Sequence, residues 1–262
     1  TSVTGLATFS GGLLSPGAGA NSFRAGTNAG AVAQGSNAVA VGGQAGSSGQ
    51  LENAVAIGYV AGMSAQGVKA VALGYKAGQS TQGDSGVAVG QQAGETLQGN
   101  NSVAVGDSAG NDTQGASAVA IGQLAGNDTQ GVNGVAVGIY AGYDTQGINS
   151  VAVGSSAGQT SQATNAVGVG VLAGSDTQGA SSVAIGNEAA RYTQGDNAVA
   201  VGKSAGVTTQ GTAAVAIGES AGGTAQGNYA VAIGRQTGLS NQSGTATAVG
   251  YQAGSTDQGS RS

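Results

Sequence analysis

The stretch from Asn101 to Ala116 reads NSVAVGDSAGNDTQGA, and the rest of the chain repeats it with small changes. With a period of sixteen, residues 21–260 divide into fifteen units without insertion or deletion. We number the positions of the unit 1 to 16, with Asn101 at position 1. Position 6 is Gly and position 14 is Gln in every unit, and position 4 is Ala in all but two. A fixed period of this kind indicates a repeat architecture in which similar units stack on one another.

The composition separates this chain from an ordinary globular protein. Of 262 residues, 53 are Gly and only 3% are aromatic, so the large side chains of a thick core are missing. Disorder is the other interpretation of a Gly-rich chain of low charge, but the Val and Ile columns keep their register along the fifteen units, with exceptions such as Phe23 and Thr247 in the end units, which favours a folded repeat. The net charge is −5 with no basic patch, which argues against a nucleic-acid partner. No apolar run approaches the ~20 residues of a membrane-spanning helix, so we expect no membrane insertion in this segment.

Each unit has the pattern of two short strands joined by turns. The V-A-V-G segment alternates with period two and is rich in β-branched residues, which predicts a strand ended by Gly at position 6. A second short segment lies around positions 9 to 14, and Gly recurs at positions 6, 10 and 15, as turns require. Three Gly residues per unit would cost a helix about 1 kcal/mol each. The sequence therefore predicts an all-β fold, a parallel β-solenoid or β-roll with 16 residues per coil and about 15 coils over residues 21–260.

The solenoid prediction divides the chain into three parts and turns each position of the unit into a column. Residues 1–20 fall outside the register and are expected to form an N-terminal cap or linker, and residues 261–262 form a tail. At position 14, stacked side-chain amides can hydrogen-bond to each other along the axis. We therefore expect a structural ladder along this column, represented by Gln82, Gln98, Gln114, Gln130 and Gln146.

Positions 3, 4 and 5 predict packing on both faces of the first strand. Successive strand residues point to opposite faces, and a solvent-facing position 4 would vary among polar residues instead of staying Ala. One face can form the thin core of the coil, and the other then packs against a second chain. The oligomer seam lies at either the Val column or the Ala column, and the seam candidates in the Ala column are Ala88, Ala104, Ala120, Ala136 and Ala152.

Few residues in this chain suggest chemistry. The sequence has no His and no Cys, which excludes Ser-His-Asp and Cys-His nucleophiles, and we predict no catalytic, metal or cofactor site and no enzyme activity. Tyr59 and Tyr75 share position 7 in neighbouring coils and are candidates for a ligand surface, with local packing as the alternative. Asp112, Asp128 and Asp144 should form a row of solvated carboxylates, with a bound cation such as calcium as the alternative.

The repeat resembles a known family. NSVAVG at 101–106 and 149–154, SSVAIG at 181–186 and NAVAIG at 53–58 are similar to the head repeat of the YadA-type trimeric autotransporter adhesins and to related surface-fibre repeats of phages, viruses and bacteria. The resemblance implies a left-handed parallel β-roll, three chains around one axis, and binding to extracellular matrix or host surfaces. Two departures are the sixteen-residue period, where the adhesin repeat has fourteen, and the absence of a neck motif or heptad stalk.

These observations together predict a structural fibre or adhesin segment. We expect a rigid spacer or head on a cell surface or virion, with an extracellular location. Its partners would be copies of itself, as a homotrimer, and a host-surface protein or glycan. Two alternatives come from other classes: a subunit that stacks coils end to end into a filament, or a solenoid that binds ice or another surface through the Thr residues recurring at position 13.

Overall fold

The computed structural model describes residues 19–259, and within them the chain is an all-β parallel solenoid without a helix. Each coil contributes one strand to a first sheet, and most coils contribute another to a second sheet. The predicted fold class and the sixteen-residue coil are confirmed. Residues 1–18, which make up most of the predicted cap or linker, and residues 260–262, which include the predicted tail, lie outside the described residues.

Among the described residues, the first sheet has fifteen strands, each centred on position 4 of its coil. In order across the sheet they are Phe23–Ala25, Val39–Val41, Val55–Ile57, Val71–Leu73, Val87–Val89, Val103–Val105, Val119–Ile121, Val135–Val137, Val151–Val153, Val167–Val169, Val183–Ile185, Val199–Val201, Val215–Ile217, Val231–Ile233 and Thr247–Val249.

The second sheet has twelve strands in the described part of the chain, most of them just two residues long at positions 13 and 14. They are Ser48–Gln50, Ser64–Gln66, Thr81–Gln82, Leu97–Gln98, Thr113–Gln114, Thr129–Gln130, Thr145–Gln146, Ser161–Gln162, Thr177–Gln178, Thr193–Gln194, Thr209–Gln210 and Ala225–Gln226.

The register is sixteen residues throughout, so every residue lies beside its counterpart in the next coil. Val103 pairs with Val119 in the first sheet, and Gln114 pairs with Gln130 in the second. The turns follow the same rule, since the Gly110 amide donates to the Ala125 carbonyl at 2.9 Å. Side chains at one position therefore form a column along the axis, with a spacing of about 4.8 Å.

Four positions of each coil have left-handed backbone. In one coil these are Asn101 (φ 57°), Gly106 (φ 134°), Ser108 (φ 54°) and Gly110 (φ 53°). Gly adopts such angles without steric cost, and Asn tolerates the left-handed region better than most residues, which accounts for Gly at positions 6 and 10 and for the preference for Asn at position 1. These positions bend the chain twice per coil and bring the two sheets face to face.

The core between the sheets is made of small side chains and glutamine. Ala at positions 4 and 9 and Gln at position 14 point inward with almost no exposure, together with the Ala, Ser or Gly at position 2. Val and Ile at positions 3 and 5 point outward instead. The inner space is too thin for them, because the Gln side chain reaches across it: a Cβ added to Gly110 would lie 3.0 Å from the Gln114 amide carbon.

This arrangement corrects one set of predicted residues. The Ala residues chosen as oligomer-seam candidates are inside their own coil at 0% exposure and have no surface on which a second chain could pack: Ala88, Ala104, Ala120, Ala136 and Ala152. Of the two columns considered, only the column of large aliphatic residues faces outward.

Candidate functional site

The outer face of the first sheet carries a continuous apolar strip, which we define as the position-3 and position-5 side chains from Val39 to Val249. These side chains are Val, Ile or Leu in every coil of that range except for Thr247. They are partly exposed along the whole sheet, with Ile121 at 40% and Val249 at 63%. Soluble monomers rarely expose a contiguous apolar surface of this length, so the strip is a candidate interface.

The outer face of the second sheet is mostly polar, although Ala65, Leu97 and Ala225 interrupt it. Its outward side chain is at position 13, where Thr113, Thr129 and Thr145 are exposed in successive coils. The two faces of the solenoid therefore differ in character: one is lined by aliphatic side chains and the other mainly by hydroxyls. An interface driven by apolar burial would use the first sheet and leave the second in water.

The position-14 glutamines link the two sheets across the core. The Gln114 amide nitrogen donates to the Val103 carbonyl of its own coil at 2.8 Å and to the Gln130 side-chain oxygen at 3.0 Å. The amide-to-amide bond is missing in some coils, and the side-chain oxygens of Gln98 and Gln114 lack a donor. The bond to the strand carbonyl recurs at every one of the predicted ladder residues: Gln82, Gln98, Gln114, Gln130 and Gln146.

Tyr59 and Tyr75 lie in adjacent coils as a stacked pair, with ring centroids 6.0 Å apart and an interplanar angle of 10°. The Tyr75 ring packs on one face of the Tyr59 ring, and the Gly43 backbone lies near the Tyr59 ring, since a Cβ added to Gly43 would be 3.2 Å from it. Tyr59 remains 55% exposed and Tyr75 47% exposed. The pair therefore stays a candidate ligand surface.

A fixed polar cluster surrounds Glu95 beside this pair. Its carboxylate accepts hydrogen bonds from Lys76 at 3.0 Å, Gln92 at 2.8 Å and Asn111 at 3.2 Å. Partial burial raises the pKa of Glu95, but the three hydrogen bonds outweigh it and hold the pKa below its usual value. The cluster spans three coils, and its carboxylate is already fully engaged, which makes it a structural bridge.

The carboxylates of Asp112, Asp128 and Asp144 form the expected row on the surface. Burial, a hydrogen bond to Asp144 and the negative charges of Asp144 and Asp112 raise the pKa of Asp128 above its usual value. Within residues 19–259, no group of three or more His, Cys, Asp or Glu side chains is arranged to hold a metal ion. The row is therefore a site of charge repulsion within the chain.

A depression of about 210 Å³ opens across three coils on another part of the surface. Arg191 projects over it and is held by Glu188 at 3.2 Å and by the Tyr192 ring, whose centroid is 5.0 Å away. Sequence reasoning missed this feature, and the repeat gives only a weak signal for it. Residues 188–192 read EAARY, where the next coil has SAGVT: Ala190 replaces the usual Gly of position 10, and Tyr192 brings an aromatic residue to the variable position 12. The lining residues are Gln159, Thr160, Leu172, Ser175, Asp176, Arg191 and Tyr192.

Comparison with known proteins supports the resemblance drawn from the repeat. The family model described as the YadA head domain repeat matches the chain in two overlapping copies, at residues 26–45 and 33–61. The resemblance to YadA-like head repeats is thereby confirmed over these first coils. No curated protein matches the chain. Among residues 19–259, no helix is long and apolar enough to cross a membrane.

Proposed function

We propose that this chain is the head or spacer segment of a homotrimeric surface fibre, in which three solenoids bury their apolar strips against one another. Such a fibre would stand on the outside of a cell or on a virion and act as an adhesin or as a rigid spacer. The match to the YadA head domain repeat supports this class of function, since heads of that type are trimeric.

The observation that carries the proposal is the unbroken apolar strip on the first sheet. A partner that covers it along its full length must present complementary apolar groups every ~4.8 Å, the spacing of stacked strands. A second copy of this chain has the same spacing, because its coils stack at the same distance. The surface of an unrelated globular protein does not have this spacing. Burying the strip also removes Val and Ile side chains from water, which contributes about 25 cal/mol per Å² of apolar surface.

The proposal is tested by the mass of the chain in solution, measured by light scattering over a concentration series. We expect a constant mass of three chains. The double variant Ile121→Lys and Val137→Lys places charges at position 5 of two adjacent coils and should shift the mass toward a single chain. Thr129→Lys is the matched control, because it adds the same charge on the outer face of the second sheet, and it should leave the trimer intact.

Two results would contradict the proposal and favour another class. A steady single-chain mass for the unchanged protein would mean that the strip stays exposed in solution. A mass that climbs with concentration, and that is insensitive to the two lysines at position 5, would indicate stacking of coils end to end. Circular dichroism on the variants separates loss of assembly from loss of folding.

A further inference from the structure

The depression near Arg191 exists because column 11 changes size abruptly. Ser175 is a small, nearly buried residue at this position, while Gln159 and Arg191 are long residues at the same position of the coils on either side. The gap holds about 210 Å³, or roughly seven molecules of liquid water. It is large enough for one six-membered sugar ring and too small for an extended chain.

Three of the polar side chains that line the gap are not used by the protein itself. Within the described part of the chain, the side chains of Gln159, Thr160 and Asp176 make no hydrogen bond or ion pair. Together they offer an amide, a hydroxyl and a carboxylate, which can both donate to and accept from a ligand. Leu172 adds an apolar wall beside them. A few convergent polar groups with an apolar wall are the usual composition of a small-molecule site.

The charges in and around the gap select among ligands. Arg191 is one cation, and Glu188 and Asp176 are two carboxylates, so the immediate surroundings carry a net charge of −1. This balance disfavours phosphate, sulfate and carboxylate ligands. Arg191 is paired with Glu188 and lies over the Tyr192 ring, and its guanidinium has further N–H donors. Donors next to the free Asp176 acceptor suit neutral hydroxyl groups.

We propose that this depression binds a single neutral pyranose unit of a surface glycan. The ligand class rests on the proposed function, in which the fibre meets other surfaces as an adhesin. The lining residues lie at positions 8, 11 and 12, outside the first sheet and leading into the strand Thr177–Gln178 of the second. Burial of the apolar strip in a trimer would therefore leave the depression open.

The test uses the full chain and three probes: glucose, galactose and mannose. Saturation-transfer NMR and the shift of the Tyr192 ring resonances would report binding, and we expect saturable binding of at least one sugar with a Kd in the millimolar range, as is usual for so few contacts. The double variant Arg191→Val and Tyr192→Thr carries the residues of the next coil, Val207 and Thr208, so its backbone is one that the chain already adopts. We expect the sugar signal of this variant to fall at least tenfold.

The control variant is Tyr59→Gln, which removes an exposed aromatic residue outside the depression. Gln is the residue that the chain has at the same position of another coil, Gln91, and this variant should bind sugar as the unchanged chain does. N-acetylneuraminate, which carries a carboxylate, is measured in the same way as a charged comparison. The site is overturned if no neutral sugar binds saturably, if the Arg191 and Tyr192 variant binds equally well, or if N-acetylneuraminate is preferred. Light scattering on the same samples reports assembly, so a trimer without sugar binding defeats the site alone, and a sugar-binding monomer defeats the fibre alone.

Discussion

Replacing Gly138 with alanine tests the idea that position 6 admits only glycine because the coils stack so closely there. Gly138 has a φ of 132°, which side-chain-bearing residues rarely adopt. A Cβ at this position would lie 2.6 Å from the carbonyl oxygen of Gly154 in the next coil. That neighbour is backbone, fixed on both sides by the stack, and it cannot turn aside.

The magnitude follows from these two causes. Holding alanine in such a backbone region costs about 1–3 kcal/mol, and forcing a methyl group into a close-packed contact costs about 1–3 kcal/mol more. We expect Gly138→Ala to lower the free energy of unfolding by roughly 2–6 kcal/mol. Gly142→Ala is the matched control at position 10, where φ is 52° and the added Cβ meets the side-chain amide of Gln146 at 2.9 Å. Because that amide can shift, the control should cost only about 1–2 kcal/mol.

Both variants would be compared by urea unfolding, followed by circular dichroism at one fixed protein concentration because assembly adds to apparent stability. Hydrogen exchange would show whether the loss is confined to the coils next to the substitution, as nearest-neighbour stacking predicts. The reasoning is refuted if Gly138→Ala costs no more than Gly142→Ala. The chain itself already supports the ranking, since Ala190 occupies position 10 of one coil at a φ of 45°, whereas no coil has a side chain at position 6.

Three further substitutions have expected outcomes. Gln130→Leu should lower the free energy of unfolding by about 2–4 kcal/mol in a urea melt, because it removes the hydrogen bonds to Val119 and Gln146 and leaves buried polar groups unpaired. Ala190→Gly should raise that free energy by about 1 kcal/mol, because glycine relieves the left-handed strain, and an unchanged urea midpoint would count against this. The pKa of Asp128 is raised, so the stability that this carboxyl contributes is present at low pH, where it is protonated, and is lost as the pH rises through that pKa. Asp128→Asn should therefore stabilise the chain at pH 7 by less than about 1 kcal/mol and have no effect in acid. High salt should shrink the gain at pH 7, and a gain that persists in 1 M salt would show that charge repulsion is not its cause.

The period and the main strands could be predicted from the sequence because every coil repeats the same signals. Val103–Val105 has the alternation and the β-branched residues of a strand, and glycine ends it at once. Which side of that strand faces inward could not be predicted, because Val is normally the residue that fills a core. Here the space is set by the Gln114 side chain, which spans it, and the buried residues beside the amides are almost all Ala, with Thr237 as a larger one.

The left-handed turn at position 8 was also beyond sequence reasoning. Its residues include Val60, Leu124 and Tyr140, none of which favours positive φ, yet each adopts it at 56–63°. Hydrogen bonds between neighbouring coils hold the backbone in this conformation; for example, the Tyr140 amide donates to the Gln123 carbonyl at 3.0 Å. The depression near Arg191 is a different case, because its lining residues stand at positions 8, 11 and 12, which vary from coil to coil. These residues line one depression because Ser175, between Gln159 and Arg191, is small, and only the structure shows this arrangement.

The constant register of sixteen residues has a consequence for how such rods change in length. Deleting one whole repeat, for example residues 117–132, would bring Asn133 into the place of Ser117 and leave every column filled by its usual type of residue. No inward side chain would turn outward, and the rod would shorten by a single strand spacing of about 4.8 Å. A gene that gains or loses such modules by recombination therefore adjusts the reach of its product in small, uniform steps, and each intermediate length is itself a foldable protein.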